Sequence, residues 1–121
     1  MSAEKSDVLI VDDDMDIRLM MQSILKYQGY KTKVCSSADQ MYAMLKEVKP
    51  GLIIMDMLLS GTDGREICKN LKSTDLTKNI SVLMISAHPD AEQTCKLAGA
   101  DAFLEKPFEI DMLLDKVSAL L

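Results

Sequence analysis

The chain has 121 residues, of which 48% are hydrophobic and 27% charged, and its formal net charge is -5. That length suits one domain with one sizeable core, here residues 1–121 as a single unit, and the composition is globular rather than disordered. The acidic balance argues against nucleic acid as the main partner, since phosphate backbones are bound by clustered Lys and Arg, and no run approaches the ~20 apolar residues of a membrane span.

The first apolar run, Val8 to Val11, predicts a strand that stops at Asp12-Asp13-Asp14. Behind it, Ile17, Met20, Met21, Ile24 and Leu25 fall on one face of a helix, which Asp14 or Asp16 can cap and Gly29 ends. Lys31 to Cys35 reads as a short second strand, nearer an edge because it carries two lysines. Ser36 or Ser37 can cap the next helix, with Ala38, Met41, Leu45 and Val48 as its apolar face, and Lys49-Pro50-Gly51 breaks it. The third strand, Leu52 to Met55, stops at Asp56. Met57 to Asp63 reads as a loop, and Gly64 precedes a third helix with Ile67, Cys68 and Leu71 inward. After a polar connection, Ser73 to Asn79, the fourth strand runs from Ser81 to Ile85 and meets Ser86. His88-Pro89-Asp90 starts a short helix that reaches Leu97 and stops at Gly99. The fifth strand, Asp101 to Glu105, runs into Lys106-Pro107, and a last helix shows Ile110, Leu113, Leu114, Val117 and Leu121 on one side.

Strands and helices alternating with short links predict an α/β fold: a three-layer α/β/α sandwich around a doubly wound, five-stranded parallel sheet. Cys35, Cys68 and Cys95 are odd in number, far apart and in no Cys-x-x-Cys spacing, so they read as reduced, packed residues. The polar segment Met1 to Asp7 precedes a run too short for a signal-peptide core, so a cytoplasmic protein is expected.

In such a sheet the ligand crevice opens beyond the carboxyl ends of the strands, where the strand order reverses. With the order 2-1-3-4-5 that point lies between the first and third strands, where Asp12, Asp13 and Asp56 converge. Like charges that close raise one another's pKa unless a cation intervenes. An all-oxygen donor set suits Mg²⁺, for which Mn²⁺ can substitute, rather than zinc. A carboxylate can act as a nucleophile toward phosphorus. Positioning and charge neutralisation then carry phosphoryl transfer: Mg²⁺, the Lys106 ammonium and the Ser86 hydroxyl each take one phosphoryl oxygen. Every one of these residues also has an ordinary explanation, as a helix cap (the preferred role for Asp14), a loop acid or a solvated lysine. Their joint placement at four strand ends is what is specific.

On these residues the sequence resembles the receiver domain of two-component response regulators, over essentially the whole chain and in the stand-alone, chemotaxis-type form. Asp12-Asp13, Asp56, Gly64, Ser86-Ala87, Gly99 to Phe103 and Lys106-Pro107 match in order and spacing. The resemblance implies a flavodoxin-like fold. It implies that Asp56 accepts a phosphoryl group from a phosphohistidine on a sensor histidine kinase or a histidine phosphotransfer protein. Asp13 would bind Mg²⁺ directly, Asp12 mostly through water, and the Leu58 carbonyl would fill another position. Lys106 would contact the phosphoryl group, with a cis bond before Pro107. Ser86 and Phe103 would be the switch residues, changing a surface that binds a downstream protein target. The protein would be no enzyme beyond its own phosphorylation and dephosphorylation, and a monomer or a phosphorylation-favoured dimer.

Some positions depart from the family pattern. Ser60 stands where Pro is common and Thr62 where Met is common. Leu58 and His88 lie where side chains screen the attacking water, and an apolar Leu58 implies a fairly long-lived phosphoryl group. Two rivals stand beside this reading. Asp12-x-Asp14, Ser86 and a later Lys also resemble the haloacid-dehalogenase phosphatases, with Asp12 as nucleophile. Against that, Asp16 stands where Thr or Val is usual, no acidic strand end follows Lys106, and the chain is short. The other rival is an interaction module that works without phosphorylation.

Overall fold

A computed structural model describes residues 4–121, with side chains from Asp7 onward; Met1 to Ala3, part of the polar start noted above, lie outside the described residues. The elements in chain order are β1 (Glu4–Val11), α1 (Met15–Tyr27), β2 (Thr32–Cys35), α2 (Ala38–Leu45), β3 (Val48–Asp56), β4 (Leu58–Leu59), β5 (Thr62–Asp63), α3 (Gly64–Lys72), β6 (Ser81–Ser86), α4 (Ala91–Leu97), β7 (Ala102–Glu105) and α5 (Ile110–Leu120). The main sheet is parallel, with five strands in the order β2-β1-β3-β6-β7, and β4-β5 form a separate two-stranded antiparallel hairpin. Leaving the hairpin aside, this is the expected 2-1-3-4-5 sheet.

The strands read as unbroken apolar runs because both sheet faces are covered. The two-residue period then sorts them. Val8, Ile10, Leu52, Ile54, Leu83, Ile85 and Leu104 pack with Met21 and Leu25 of α1 and Leu113 and Val117 of α5. Leu9, Val11, Ile53, Met55, Val82, Met84 and Phe103 pack with Met41 of α2, Ile67 and Leu71 of α3 and Cys95 of α4. Each fully buried aliphatic side chain contributes about 1.5–3 kcal/mol over leaving it exposed. These two layers therefore hold the strand ends in fixed register.

Local signals set the helix ends. Asp14 caps α1, accepting from the N–H groups of Asp16 and Ile17 at 3.0 and 3.2 Å. Ser37 caps α2, accepting from Gln40 N–H at 3.2 Å, while Gln40 Oε1 accepts from Ser36 N–H at 2.9 Å. Gly29 and Gly99 follow α1 and α4 at φ 95° and 103°, a region that suits glycine.

Three expectations are corrected. Val48 is the first residue of β3, not part of the α2 face, and Lys49-Pro50 lies within that strand rather than breaking a helix. Pro50 is tolerated there because β3 pairs only with β1 at this level; pairing with β6 begins at Leu52. The segment Met57 to Asp63 is not a plain loop, since it folds into the β4-β5 hairpin. On α5, Leu113 and Val117 are buried, but Ile110 and Leu121 at its two ends are half exposed.

Candidate functional site

The sheet order reverses at β1, with β2 on one side and β3 on the other. Val11 pairs with Met55, so Asp12 and Asp56 emerge side by side at the carboxyl ends of neighbouring strands. Asp12, Asp13 and Asp56 each present a carboxylate oxygen within 4.8 Å of the other two.

Their environments differ. Asp12 is fully buried, and its Oδ1 accepts from Asp14 N–H at 2.9 Å. Its Oδ2 is buried with no hydrogen-bond partner among the described residues; the nearest cation is Lys106 Nζ at 3.6 Å. Burial pushes the Asp12 carboxyl above its usual range, against the opposing pull of the Asp14 N–H and Lys106. The Asp12 carbonyl accepts from Arg18 Nη1 at 2.9 Å, which fixes the turn into α1. Asp13 is exposed, and its Oδ2 accepts from the Ser60 hydroxyl at 2.6 Å and from Ser60 N–H at 3.0 Å. Those two bonds hold its carboxyl below the usual range. Asp56 ends β3; its Oδ2 accepts from Lys106 Nζ at 3.2 Å and its Oδ1 from Leu58 N–H at 3.4 Å.

Ser86 ends β6 and is buried, and its Oγ accepts from His88 N–H at 3.0 Å. Its carbonyl accepts from Lys106 N–H at 2.9 Å, so β6 and Lys106 are joined through the backbone. The Lys106–Pro107 bond is cis, as expected. Gly64 has no room for a side chain: a Cβ there would stand 2.8 Å from the Asp56 carbonyl and 3.0 Å from that of Met57. Phe103 is buried in the α2–α4 layer, opposite Met84 on β6. Leu58 in β4 and His88 are exposed, at the rim.

The expected Asp12, Asp13, Asp56 and Lys106 thus come together in one crevice. Ser86 joins them through its backbone rather than through a hydroxyl bond to a carboxylate. Two contacts had no sequence signal: Ser60 on Asp13, 47 positions away, and Arg65, whose guanidinium forks Asp63 at 2.7–3.1 Å and donates to Thr94 on α4 at 3.1 Å.

A doubly wound sheet with an acidic crevice at its switch point places the chain in the class of open α/β folds that bind ligands beyond the carboxyl ends of their strands. The family model described as the response regulator receiver domain matches residues 8–118, and the chain belongs to that family. It is 34% identical to the phosphate regulon transcriptional regulatory protein PhoB of Pseudomonas aeruginosa, across 94% of this chain and 51% of the relative. It is also 34% identical to the sporulation initiation phosphotransferase F of Bacillus subtilis, across 91% of this chain and 89% of the relative. The chain therefore spans about half the length of PhoB and most of the phosphotransferase. Among solved structures, a response regulator from Chloroflexus aurantiacus superposes with a TM-score of 0.90 at 33% identity, covering 97% of this chain and 98% of that one. The chemotaxis response regulator CheY4 of Vibrio cholerae gives 0.87 at 27% identity, covering 99% and 100%.

Proposed function

We propose that residues 1–121 work as one receiver unit in which Asp56 takes a phosphoryl group from a phosphohistidine. The P–N bond breaks, an Asp56 carboxylate oxygen forms the new P–O bond, and the imidazole leaves. The observation that carries this reading is the meeting of three carboxylates within 4.8 Å around a buried Asp12 oxygen with no hydrogen-bond partner. Leaving such an oxygen unsatisfied is costly, and a hard divalent cation satisfies it. Asp12, Asp13 and Asp56, with the Leu58 carbonyl, would hold Mg²⁺ or Mn²⁺. When bound, the cation supplies positive charge that offsets the charge on the transferred phosphoryl oxygens. Lys106, already 3.2 Å from Asp56, stabilises the same charge from the other side.

The chain's own residues then carry the consequence. The Ser86 hydroxyl, now bonded by His88 N–H, turns to the phosphoryl group, and the loop before α4 follows. Phe103 on the adjacent strand repacks, biasing a surface formed by α4, β7 and α5 toward a protein target. The name of the Bacillus subtilis relative supports a relay role, with a sensor kinase or a histidine phosphotransfer protein as donor. Three free, buried cysteines suit the cytoplasm, where such donors work. The role is regulatory rather than one of substrate turnover.

Acetyl phosphate labelled in its phosphoryl group, supplied with Mg²⁺, tests this. Label is expected on Asp56 and is lost in Asp56→Asn. Label on Asp12 with rapid turnover would instead mean a phosphatase. No label where a control receiver is labelled by its kinase would mean an interaction module. The same labelled protein reports release: Leu58→Asn, which adds a polar group at the rim, is expected to lose label several-fold faster. Equal loss would remove Leu58 as the cause of a long lifetime.

A further inference from the structure

We propose that Ser60 is a positioning residue that holds the Asp13 carboxylate in place for a divalent cation. This inference rests on the cation-site reading above and deepens it.

Asp13 is exposed and lies beside two other carboxylates, with oxygens within 4.8 Å. Repulsion and side-chain entropy both favour swinging its carboxylate out into solvent. Ser60 opposes that with two bonds, from its hydroxyl at 2.6 Å and its N–H at 3.0 Å. A hydroxyl donating to a carboxylate at that distance is a charge-assisted bond, among the stronger kinds. Both bonds fall on Oδ2 and neither occupies Oδ1, so the clamp and a cation can use different oxygens of one carboxylate.

The backbone points the same way. Ser60 and Gly61 are the two turn residues of the β4-β5 hairpin, at φ 22° and 82°. A tight two-residue hairpin asks for positive φ at both positions, and glycine or asparagine is the ordinary choice at the first. A serine there accepts a conformation its Cβ disfavours, and it places its hydroxyl on Asp13. The hairpin begins two residues after Asp56, so this bond ties the loop behind one acid to the side chain of another, 47 positions away.

The role belongs to the resting protein and is read without phosphorylation. Calorimetric Mg²⁺ titration of the wild type, Ser60→Ala, Ser60→Gly, Ser60→Thr and Asp13→Asn tests it. Ser60→Ala should bind about tenfold more weakly, the usual scale for losing a partner that orients a ligand. Ser60→Gly removes the whole side chain but suits the turn, so it should weaken binding similarly and answers any objection that the hairpin was disturbed. Ser60→Thr keeps the hydroxyl but is β-branched at a positive φ, so its affinity should lie between those of Ser60→Ala and the wild type. Mg²⁺ bound as tightly or more tightly by both Ser60→Ala and Ser60→Gly overturns the proposal, because the hydroxyl would then be idle or a competitor. Wild type and Asp13→Asn binding equally would overturn it too, by moving the cation elsewhere. No binding by the wild type would overturn the cation site itself and this inference with it.

Discussion

A single buried oxygen, Oδ2 of Asp12, sets the energetics of the crevice. Without a cation it has Lys106 3.6 Å away and no hydrogen bond among the described residues. Burial raises the Asp12 carboxyl in the folded state above its unfolded value of about 3.9. The sign follows by linkage: the fold prefers the protonated acid, so this group's contribution worsens as pH rises through the unfolded and then the folded pKa. Asp12→Asn removes that decline. It should stabilise the metal-free protein at neutral pH by on the order of 1 kcal/mol, the ordinary scale of one substitution. Thermal melts from pH 4 to 7 should show the mutant's advantage growing with pH. Adding Mg²⁺ should raise the wild-type midpoint and leave the mutant's nearly unchanged, because a ligand stabilises only the state that binds it. A wild type as stable as Asp12→Asn at pH 7 without metal would mean that Lys106 already offsets the buried charge. Asp12, Asp13, Asp56 and Lys106 were legible in the sequence because they cluster at the ends of apolar runs: Asp12 and Asp56 directly, Asp13 one residue on, and Lys106 just past Glu105. Ser60 was legible only as an unusual residue. The Ser60-Gly61 pair marks a turn, but the Ser60 bond to Asp13 joins positions 47 apart, which no local pattern carries.

Among the elements, α3 shows how the crevice is joined to the rest of the fold. Asp63 ends the hairpin, caps α3 by accepting from Arg65 N–H at 2.9 Å, and is forked by the Arg65 guanidinium. That guanidinium also reaches Thr94 on α4 at 3.1 Å, so one side chain spans the hairpin, α3 and α4. The Arg65 bonds hold the Asp63 carboxyl below its usual range. Its contribution is therefore complete above the unfolded carboxylate value and is lost as pH falls through the lower folded one. Asp63→Ala should cost about 1 kcal/mol at pH 7, the usual cost of a lost N-cap. Urea unfolding of wild type and mutant should converge as the solution is taken below the ordinary carboxylate range. A constant gap would mean that geometry, not charge, supplies the cap. The sequence placed the helices well, because their apolar spacing and caps are local. It failed at Val48 to Pro50, where apolar spacing continued past the end of α2 and a proline looked like a stop. The strand is permitted there only because β6 starts later than β3, a fact of tertiary pairing that the sequence does not carry.

Taken whole, the molecule is two cores divided by one sheet, and the cysteines sample only one of them. Cys35 on β2, Cys68 on α3 and Cys95 on α4 all lie in the layer formed with α2, α3 and α4, and all are buried. Burial pushes the Cys35 and Cys68 thiols up to about 11 and raises that of Cys95. Thiolate is the reactive form, so the folded protein should resist a thiol reagent at pH 8 for two reasons, access and ionisation. Labelling then requires that layer to open, and its rate reports the free energy of opening. An aromatic disulfide reagent followed by absorbance should find three thiols reacting at once in urea, and all three at least a hundredfold more slowly in buffer. Mg²⁺ at a hundred times its dissociation constant should slow native labelling further, by up to about a hundredfold, if opening that layer also dismantles the acid crevice. Slowing of that size would show that the crevice and the α2–α4 layer form one cooperative unit, which the proposed switch from Ser86 through Phe103 to α4 requires. Labelling that is slow in buffer yet indifferent to Mg²⁺ would place the opening of α2–α4 outside the reach of the crevice, and a signal from Asp56 would then have to leave through α5 and its layer instead.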